Sequence, residues 1–414
     1  MHVVSNVFAV SALLSLLVAA GGCTGNAPND DAGVDAATYY PHVATIVNKN
    51  CVSCHQAGGI APFALETYEQ VKSMKDMMRA AVEARTMPPS PLDVSGDCSD
   101  FKDRHYLTDD EIATIARFAE EDAPEGDPSA GAGPTADLAT LAAPNVVVTM
   151  AEPYTPNAAA ADDYRCFVVD PALSADQFLT GAEVVPGDSR VVHHVLLFAP
   201  YDLDAENEAV AKDTAEAGPG FTCFGDAGVP ARLLHVWAPG AGFTAYPEGT
   251  GLKIDAGRKL VLQVHYNTLG GAFADQTSIK LQTTTTVASE AFIDFVLDDE
   301  MLLPADASDA AWSFEDAVPF NLRVYGVFPH MHTLGRTMKL EKIADGVETC
   351  IADVPRWDFH WQRFYFFEGP IAYDTGDVSR VSCTFDTRGR TEQIAWGEGT
   401  QDEMCLFGVY YTID

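Results

Sequence analysis

Basic residues are scarce in this chain. Only 25 Lys and Arg stand against 60 Asp and Glu in 414 residues, a formal net charge of −35. That deficit excludes nucleic-acid binding, because a phosphate backbone is held by counterion release onto Lys and Arg. An acidic surface keeps a protein soluble, repels anionic partners and suits a basic redox partner protein. A membrane span is also lacking at the N-terminus, where the apolar run at 7–20, "VFAVSALLSLLVAA", is too short to cross a bilayer comfortably. It leads into "AAGGC", which resembles a lipoprotein signal in which Cys23 is lipidated and becomes the mature N-terminus. Ordinary secretory cleavage and a retained anchor are the alternatives. All three export the chain to an oxidising compartment, periplasmic or on an outer membrane, with membrane contact only through a lipid anchor. Residues 24–38 have no apolar periodicity and read as a flexible tether.

What is present sorts by chemistry. Cys51-x-x-Cys54-His55 has the spacing by which two thiols form thioethers to haem vinyl groups and the histidine ligates the iron. Zinc would need a second ligand pair, and none follows at a suitable spacing. The context favours haem. A helix is expected at 40–50 ahead of the motif and an amphipathic helix at 65–84 after it, "LETYEQVKSMKDMMRAAVEA". Then come "RTMPPSP" and a terminal helix at 107–126, with Thr108 as N-cap and Glu111 three residues on. This order resembles a small c-type cytochrome, expected as an all-α domain over 39–125. Met87, held extended by Pro88 and Pro89, is the expected sixth ligand. Met74, Met77 and Met78 read as core packing, and His42 and His105 as surface histidines.

Residues 126–142 are rich in Gly, Pro and Ala and read as a linker. Beyond them, short runs such as "NVVVTM", "RCFVVD", "KLVLQVHYNTL" and "SIKLQTTTT" alternate apolar and polar residues between Gly, Pro and Asp turns. Such a pattern predicts antiparallel β-sandwiches (jelly-roll-like), two rather than one over this length, at 143–287 and 288–414. Of nine cysteines, Cys23, Cys51 and Cys54 are accounted for. The six left suggest three bridges, whose connectivity counting alone does not fix.

The histidines form two groups. His193 and His194 are adjacent, and adjacent strand residues point to opposite faces, so the pair shares a metal only where the strand is strongly twisted or at a sheet rim. His265 follows later. His330 and His332, in "FPHMHTLG", are spaced to project from one face of a strand. Imidazoles without a carboxylate suit copper or zinc, and an added thioether favours copper.

"VVHHVLLF", "LVLQVHYNT", "HMHTLG" and "DEMC" together resemble the copper type II, ascorbate-dependent monooxygenases, the peptidylglycine α-hydroxylating and dopamine β-monooxygenase group. The resemblance runs over residues 145–412 and implies two β-sandwiches facing each other across a solvent-filled cleft, each with one copper. It assigns His193, His194 and His265 to an electron-transfer copper, and His330, His332 and Met404 to the catalytic copper where O2 is activated. It places Tyr164 beside the first copper, matches Gln263, and pairs Cys166 with Cys223 and Cys383 with Cys405. Elimination then leaves Cys98 with Cys350, a bridge that would tie the haem region to the catalytic half.

Two departures bear on substrate. The family's peptide-amidating member has an arginine two residues before HxH, where this chain has Phe328. Its substrate tyrosine, four residues after the methionine, is Gly408 here. Peptide C-terminal amidation is therefore not expected. His235 and His360 have no ligand counterpart. The expectation is a monooxygenase that hydroxylates a C–H bond of a small molecule with O2, using two coppers, a covalent haem c relaying to the first copper, and ascorbate or another one-electron reductant. The alternative is a non-catalytic haem and copper electron-transfer or copper-handling lipoprotein.

Overall fold

The computed structural model describes residues 37–57, 61–93, 95–102, 106–133, 140–238, 241–359, 361–397 and 402–414. The signal segment with Cys23, together with His105 and His360, lies outside them. No helix among the described residues is long and apolar enough to cross a membrane.

The chain is mostly β, in antiparallel sheets, with its helices concentrated before residue 131. Helices His42–Asn50, Tyr68–Ser73, Lys75–Glu83 and Asp109–Glu120 enclose a small core of Val43, Val47, Val71, Met78, Val82, Ile115 and Phe118. Thr108 and Glu111 form a reciprocal capping box at the start of the last helix, and Thr67 and Gln70 form another. The single helix expected at 65–84 is interrupted at Met74, which leaves helical geometry. Each piece is tied separately to the end of the last helix: the Tyr68 hydroxyl donates to the Ala123 carbonyl and the Lys75 ammonium to that of Ala119. Met78 packs in the core, whereas Met77 is 59% exposed and does not pack there as expected.

The β region is built on one long sheet. Its order is Val146–Thr149, Ser278–Thr284, Gln177–Val185, Thr250–Ile254, Ser289–Leu297, Leu406–Ile413, Leu322–His330 and Tyr365–Tyr373, with Phe243–Ala245 also on Gln177–Val185. A five-stranded sheet packs on its first half and a four-stranded sheet on its second, each burying its own core. Ser278–Thr284 and Val378–Phe385 alternate strictly between buried and half-buried residues, as strands with one face in a core must. Leu260–Asn267 is buried on both faces: it is central to the five-stranded sheet, and the helix Leu203–Ala215 packs on the two strands that flank it.

The two sandwiches expected from sequence are thus joined through a continuous sheet. The seam is a parallel pairing of Thr250–Ile254 with Ser289–Leu297, beside the expected boundary at 287/288. Ile293, Phe328, Phe364 and Tyr410 consequently pack into the first core.

The segment after the Met-Pro stretch stitches the helical region to the second half. Lys102 N–H donates to the Phe366 carbonyl and Glu368 N–H to that of Asp100, so the segment covers the open edge of Tyr365–Tyr373. Phe101 and Leu92 enter the second core, and a Cys98–Cys350 disulfide locks the contact. Arg356 donates to the carbonyls of Ala84 and Arg85.

Candidate metal centres

The first histidine group is assembled by a bulge. His194 pairs with His265 on the neighbouring strand, and the register shifts between Val192 and His194. The shift adds local twist, which is the condition adjacent histidines need in order to converge. The ring of His193 lies 4.3 Å from that of His194 and 4.9 Å from that of His265, centroid to centroid. One ring nitrogen from each of the three falls within 4.8 Å of the others.

Outer contacts orient the rings. His265 Nε2 faces the Asp162 carboxylate at 2.9 Å, so Nε2 carries the proton and Nδ1 keeps its lone pair. That Nδ1 faces His193 Nδ1 at 3.3 Å. The hydrogen bond to His265 holds Asp162 below the usual carboxylate range. Tyr164 stacks flat on His265, 4.2 Å between centroids and 6° between planes. Gln263 donates to the Asp226 carbonyl beside the Cys166–Cys223 disulfide. Three converging imidazole lone pairs fit a borderline metal ion.

The second group is built at strand ends. His330 closes Leu322–His330 and pairs with Leu406, while His332 lies just beyond in the turn. Their rings are 5.1 Å apart and nearly perpendicular. His330 Nδ1 meets Gln362 Oε1 at 2.5 Å and His332 Nδ1 meets the Asp402 carbonyl at 3.0 Å. Both Nδ1 atoms are therefore donors, and both Nε2 atoms are left as ligand atoms. Burial, reinforced by His332, drives His330 down to about 3, so it stays neutral.

Met404 is 8% exposed and lies between Asp402, which touches His332, and Leu406, which faces His330. Its neighbour Cys405 is bonded to Cys383. Glu403 accepts from the His332 N–H at 3.0 Å and the Leu334 N–H at 2.6 Å, bracing the turn. Burial pushes its carboxyl up to about 7 against those bonds. Two imidazole nitrogens suit copper where the buried Met404, two residues from each of the residues that meet them, adds its thioether.

Phe359, from the loop between Val347–Val354 and Tyr365–Tyr373, spans the two groups. Its ring lies 6.1 Å from His193 and 6.3 Å from His332. The loop is anchored at both ends of the HxH motif: Trp357 Nε1 donates to the His332 carbonyl, and Gln362 touches His330 while donating to the Phe359 carbonyl. An aromatic ring thus stands near both histidine groups.

Phe328 and Gly408, the two departures from the peptide-amidating pattern, are cross-strand partners. A Cβ on Gly408 would meet Phe328 at 3.1 Å and Phe295 at 3.3 Å, so a larger residue there would have to displace those side chains. Phe328 stacks over His330 at 6.1 Å. The wall is apolar where a carboxylate clamp would stand.

In the helical region, Cys54 and His55 N–H groups both bond to the Cys51 carbonyl, which gathers the motif into one turn. Cys51 and Cys54 are unbridged thiols, raised by burial, Cys51 to about 12. His55 Nδ1 faces the Phe63 carbonyl at 3.1 Å, leaving Nε2 as the ligand atom, which fits an axial role to iron. Met87 is 46% exposed and faces a cavity of about 280 Å³ with Val82, Leu107 and Arg356. His42 is bonded to Thr38, and His235 is buried against Tyr246.

Sequence reasoning missed Asp162, Gln362, Glu403 and Phe359. Glu403 had a signal, since it stands inside "DEMC"; the other three are brought in by pairing or loop placement with no local pattern.

Comparison with known proteins agrees with this geometry. The model for the N-terminal domain of the copper type II ascorbate-dependent monooxygenases matches residues 147–271, and that for the C-terminal domain matches 298–413. The chain belongs to this family. Relatives include tyramine beta-hydroxylase of Caenorhabditis briggsae, 24% identical over 55% of this chain and 41% of its own length. Peptidylglycine alpha-amidating monooxygenase of Rattus norvegicus is 28% identical over 53% of this chain and 22% of its length. Dopamine beta-hydroxylase of Canis lupus familiaris is 28% identical over 44% and 32%. The chain therefore spans less than half the length of each of these copper monooxygenase relatives.

Proposed function

We propose that this chain is an exported copper-dependent monooxygenase that hydroxylates a C–H bond of a small organic substrate. The balance is RH + O2 + 2 e⁻ + 2 H⁺ → ROH + H2O. His193, His194 and His265 hold the electron-transfer copper, and His330, His332 and Met404 hold the catalytic copper. Bound copper supplies one-electron redox chemistry and O2 activation. The protein's share is orientation. Asp162, Gln362 and the Asp402 carbonyl fix the ring tautomers, Glu403 braces the HxH turn, and Phe359 keeps water from the space it fills between the groups.

A haem held by Cys51 and Cys54, with His55 and Met87 as axial ligands, supplies electrons alongside ascorbate or a redox partner protein. Lipidation at Cys23 anchors the chain at a membrane surface.

The observation that carries the reading is the pair of unlike histidine groups, one of three converging imidazoles and one of two, with the Phe359 ring 6.1 Å from His193 and 6.3 Å from His332. Copper storage would not require two compositions. The test is copper loading of the full chain followed by ¹⁸O2 turnover over phenethylamines, small aromatics and glycine-extended peptides. Two coppers per chain and ¹⁸O in a hydroxylated product are expected. Glycine-extended peptides should react poorly, because Phe328 and Gly408 offer no carboxylate clamp. Two bound coppers with no ¹⁸O in any product would favour the electron-transfer alternative.

A further inference from the structure

Beside the proposed haem motif, the catalytic half buries hydrogen-bond donors that no acceptor satisfies. Trp361 Nε1 and the Tyr365 hydroxyl are both shielded from solvent and without a hydrogen-bond partner among the described residues. Tyr365 is 5% exposed. The Arg363 guanidinium lies over the Tyr365 ring, 4.9 Å from its centroid. Trp361 and Arg363 are near enough to the Tyr365 hydroxyl to offset part of the rise that burial imposes on its pKa, yet neither makes a normal hydrogen bond to it. Buried donors are almost always paired, so unsatisfied ones beside a cation describe a receptor for an anion.

The cluster stands where the haem motif meets the β region. Burial raises the Cys54 thiol, and Ser53 and then the nearby Arg363 charge offset part of that rise. Trp361 lines a cavity of about 250 Å³ together with Thr86, Pro89, Ser90 and Pro91, the residues flanking the expected sixth ligand. Phe101, from the stitching segment, sets its ring edge-on to Tyr365 at 6.3 Å.

We propose that Trp361, Arg363 and Tyr365 bind the propionate carboxylates of the haem, so that the cofactor is shared between the helical region and the catalytic half. The inference rests on the haem reading above. A haem fixed by thioethers along one edge presents two carboxylates elsewhere on its rim, and in a chain this acidic they need a cation and neutral donors. The cluster supplies both. Gln362, between Trp361 and Arg363, is the outer partner of His330.

The test uses the full chain made with haem-attachment machinery. Intact mass first establishes whether the wild-type chain carries haem. Resonance Raman of that chain in H2O and D2O then reads the propionate bending modes, which shift when bonded to exchangeable N–H and O–H groups. Arg363→Gln and the milder Tyr365→Phe are compared with wild type by midpoint potential and the same modes. Loss of the guanidinium should lower the potential, since a nearby cation disfavours ferric haem, and Tyr365→Phe should remove part of the deuterium shift. An attached haem whose propionate modes ignore D2O, and whose potential is the same in both variants, overturns the inference alone. A chain without haem overturns the haem reading and this inference with it.

Discussion

The two histidine groups differ in what stands behind the rings. In the first, an ionised carboxylate backs His265, three imidazoles crowd together, and all three ride on paired strands. In the second, neutral carbonyl oxygens back both histidines, and Met404, the proposed third donor, lies just before the strand Leu406–Ile413. A carboxylate behind an imidazole makes the ring a stronger donor and favours the more highly charged metal. Neutral backing with a thioether favours Cu(I) and leaves coordination positions open. On the proposed assignment the first group would hold a metal through both oxidation states, and the second would let one react. One family fold carries both because the second site is placed at strand ends, where a turn can supply a soft ligand without breaking a sheet.

The largest effect expected from this contrast is at Met404. Met404→Leu keeps the volume and removes the sulfur, and turnover should fall by more than about 100-fold, beyond the usual cost of altering an outer partner. X-ray absorption of the reduced, copper-loaded chain should show copper–sulfur scattering that the variant lacks. Sulfur scattering surviving in Met404→Leu would remove Met404 from the site. His265→Ala should instead lower bound copper from two to one per chain, with the copper–sulfur signal intact. If the two variants lose the same signal, the groups are not chemically distinct.

Next in size are the backing groups. Asp162→Asn should weaken copper at the first site by roughly 10–100-fold and Gln362→Leu at the second by a similar factor, each leaving the other site unchanged. Competition titrations against a chelator, with the two sites resolved by their spectra, measure this. The oxidation-state dependence sharpens it: Asp162→Asn should weaken Cu(II) more than Cu(I), whereas Gln362→Leu should weaken both alike. Equal Cu(II) and Cu(I) losses in Asp162→Asn would mean that the carboxylate only orients the ring.

How much of this was legible beforehand depends on whether the signal was local. The haem-motif turn, the Thr108–Glu111 capping box and the alternation of Ser278–Thr284 are set by residues within a few positions, and they were readable. The ligand motifs were readable because each is a short string. The parallel seam between Thr250–Ile254 and Ser289–Leu297 was not, since periodicity says which face of a strand is apolar and nothing about which strand lies beside it. Asp162 reaches His265 only through pairing of distant strands. The break at Met74 goes with two long-range bonds, of Tyr68 and Lys75 to the end of the last helix, that no local pattern announces. Phe359 was not legible, because a loop anchored on both histidines of HxH has no sequence periodicity.

The smallest effect separates the two halves by pH. His235, in the first core, is driven by burial to about 3. Above its ordinary value near 6.5 it is neutral whether the chain is folded or unfolded. Below that value only the unfolded chain takes the proton, so the first half loses stability as pH falls toward 3. Glu403, in the second half, is raised to about 7 from 4.5. Its contribution is present below 4.5 and is lost as pH rises through 7, the opposite direction. Between pH 7 and 5 each amounts to roughly 2 kcal/mol, so the two nearly offset one another, while His330, also driven to about 3, adds an acid-side loss to the copper-free second half that both variants share with wild type. Denaturant titrations of the variants should expose them. His235→Gln should gain roughly 2 kcal/mol on wild type between pH 7 and 5, and Glu403→Gln should fall behind by a similar amount. If both variants track wild type across that interval, neither buried group titrates differently on unfolding, and the halves are alike in acid.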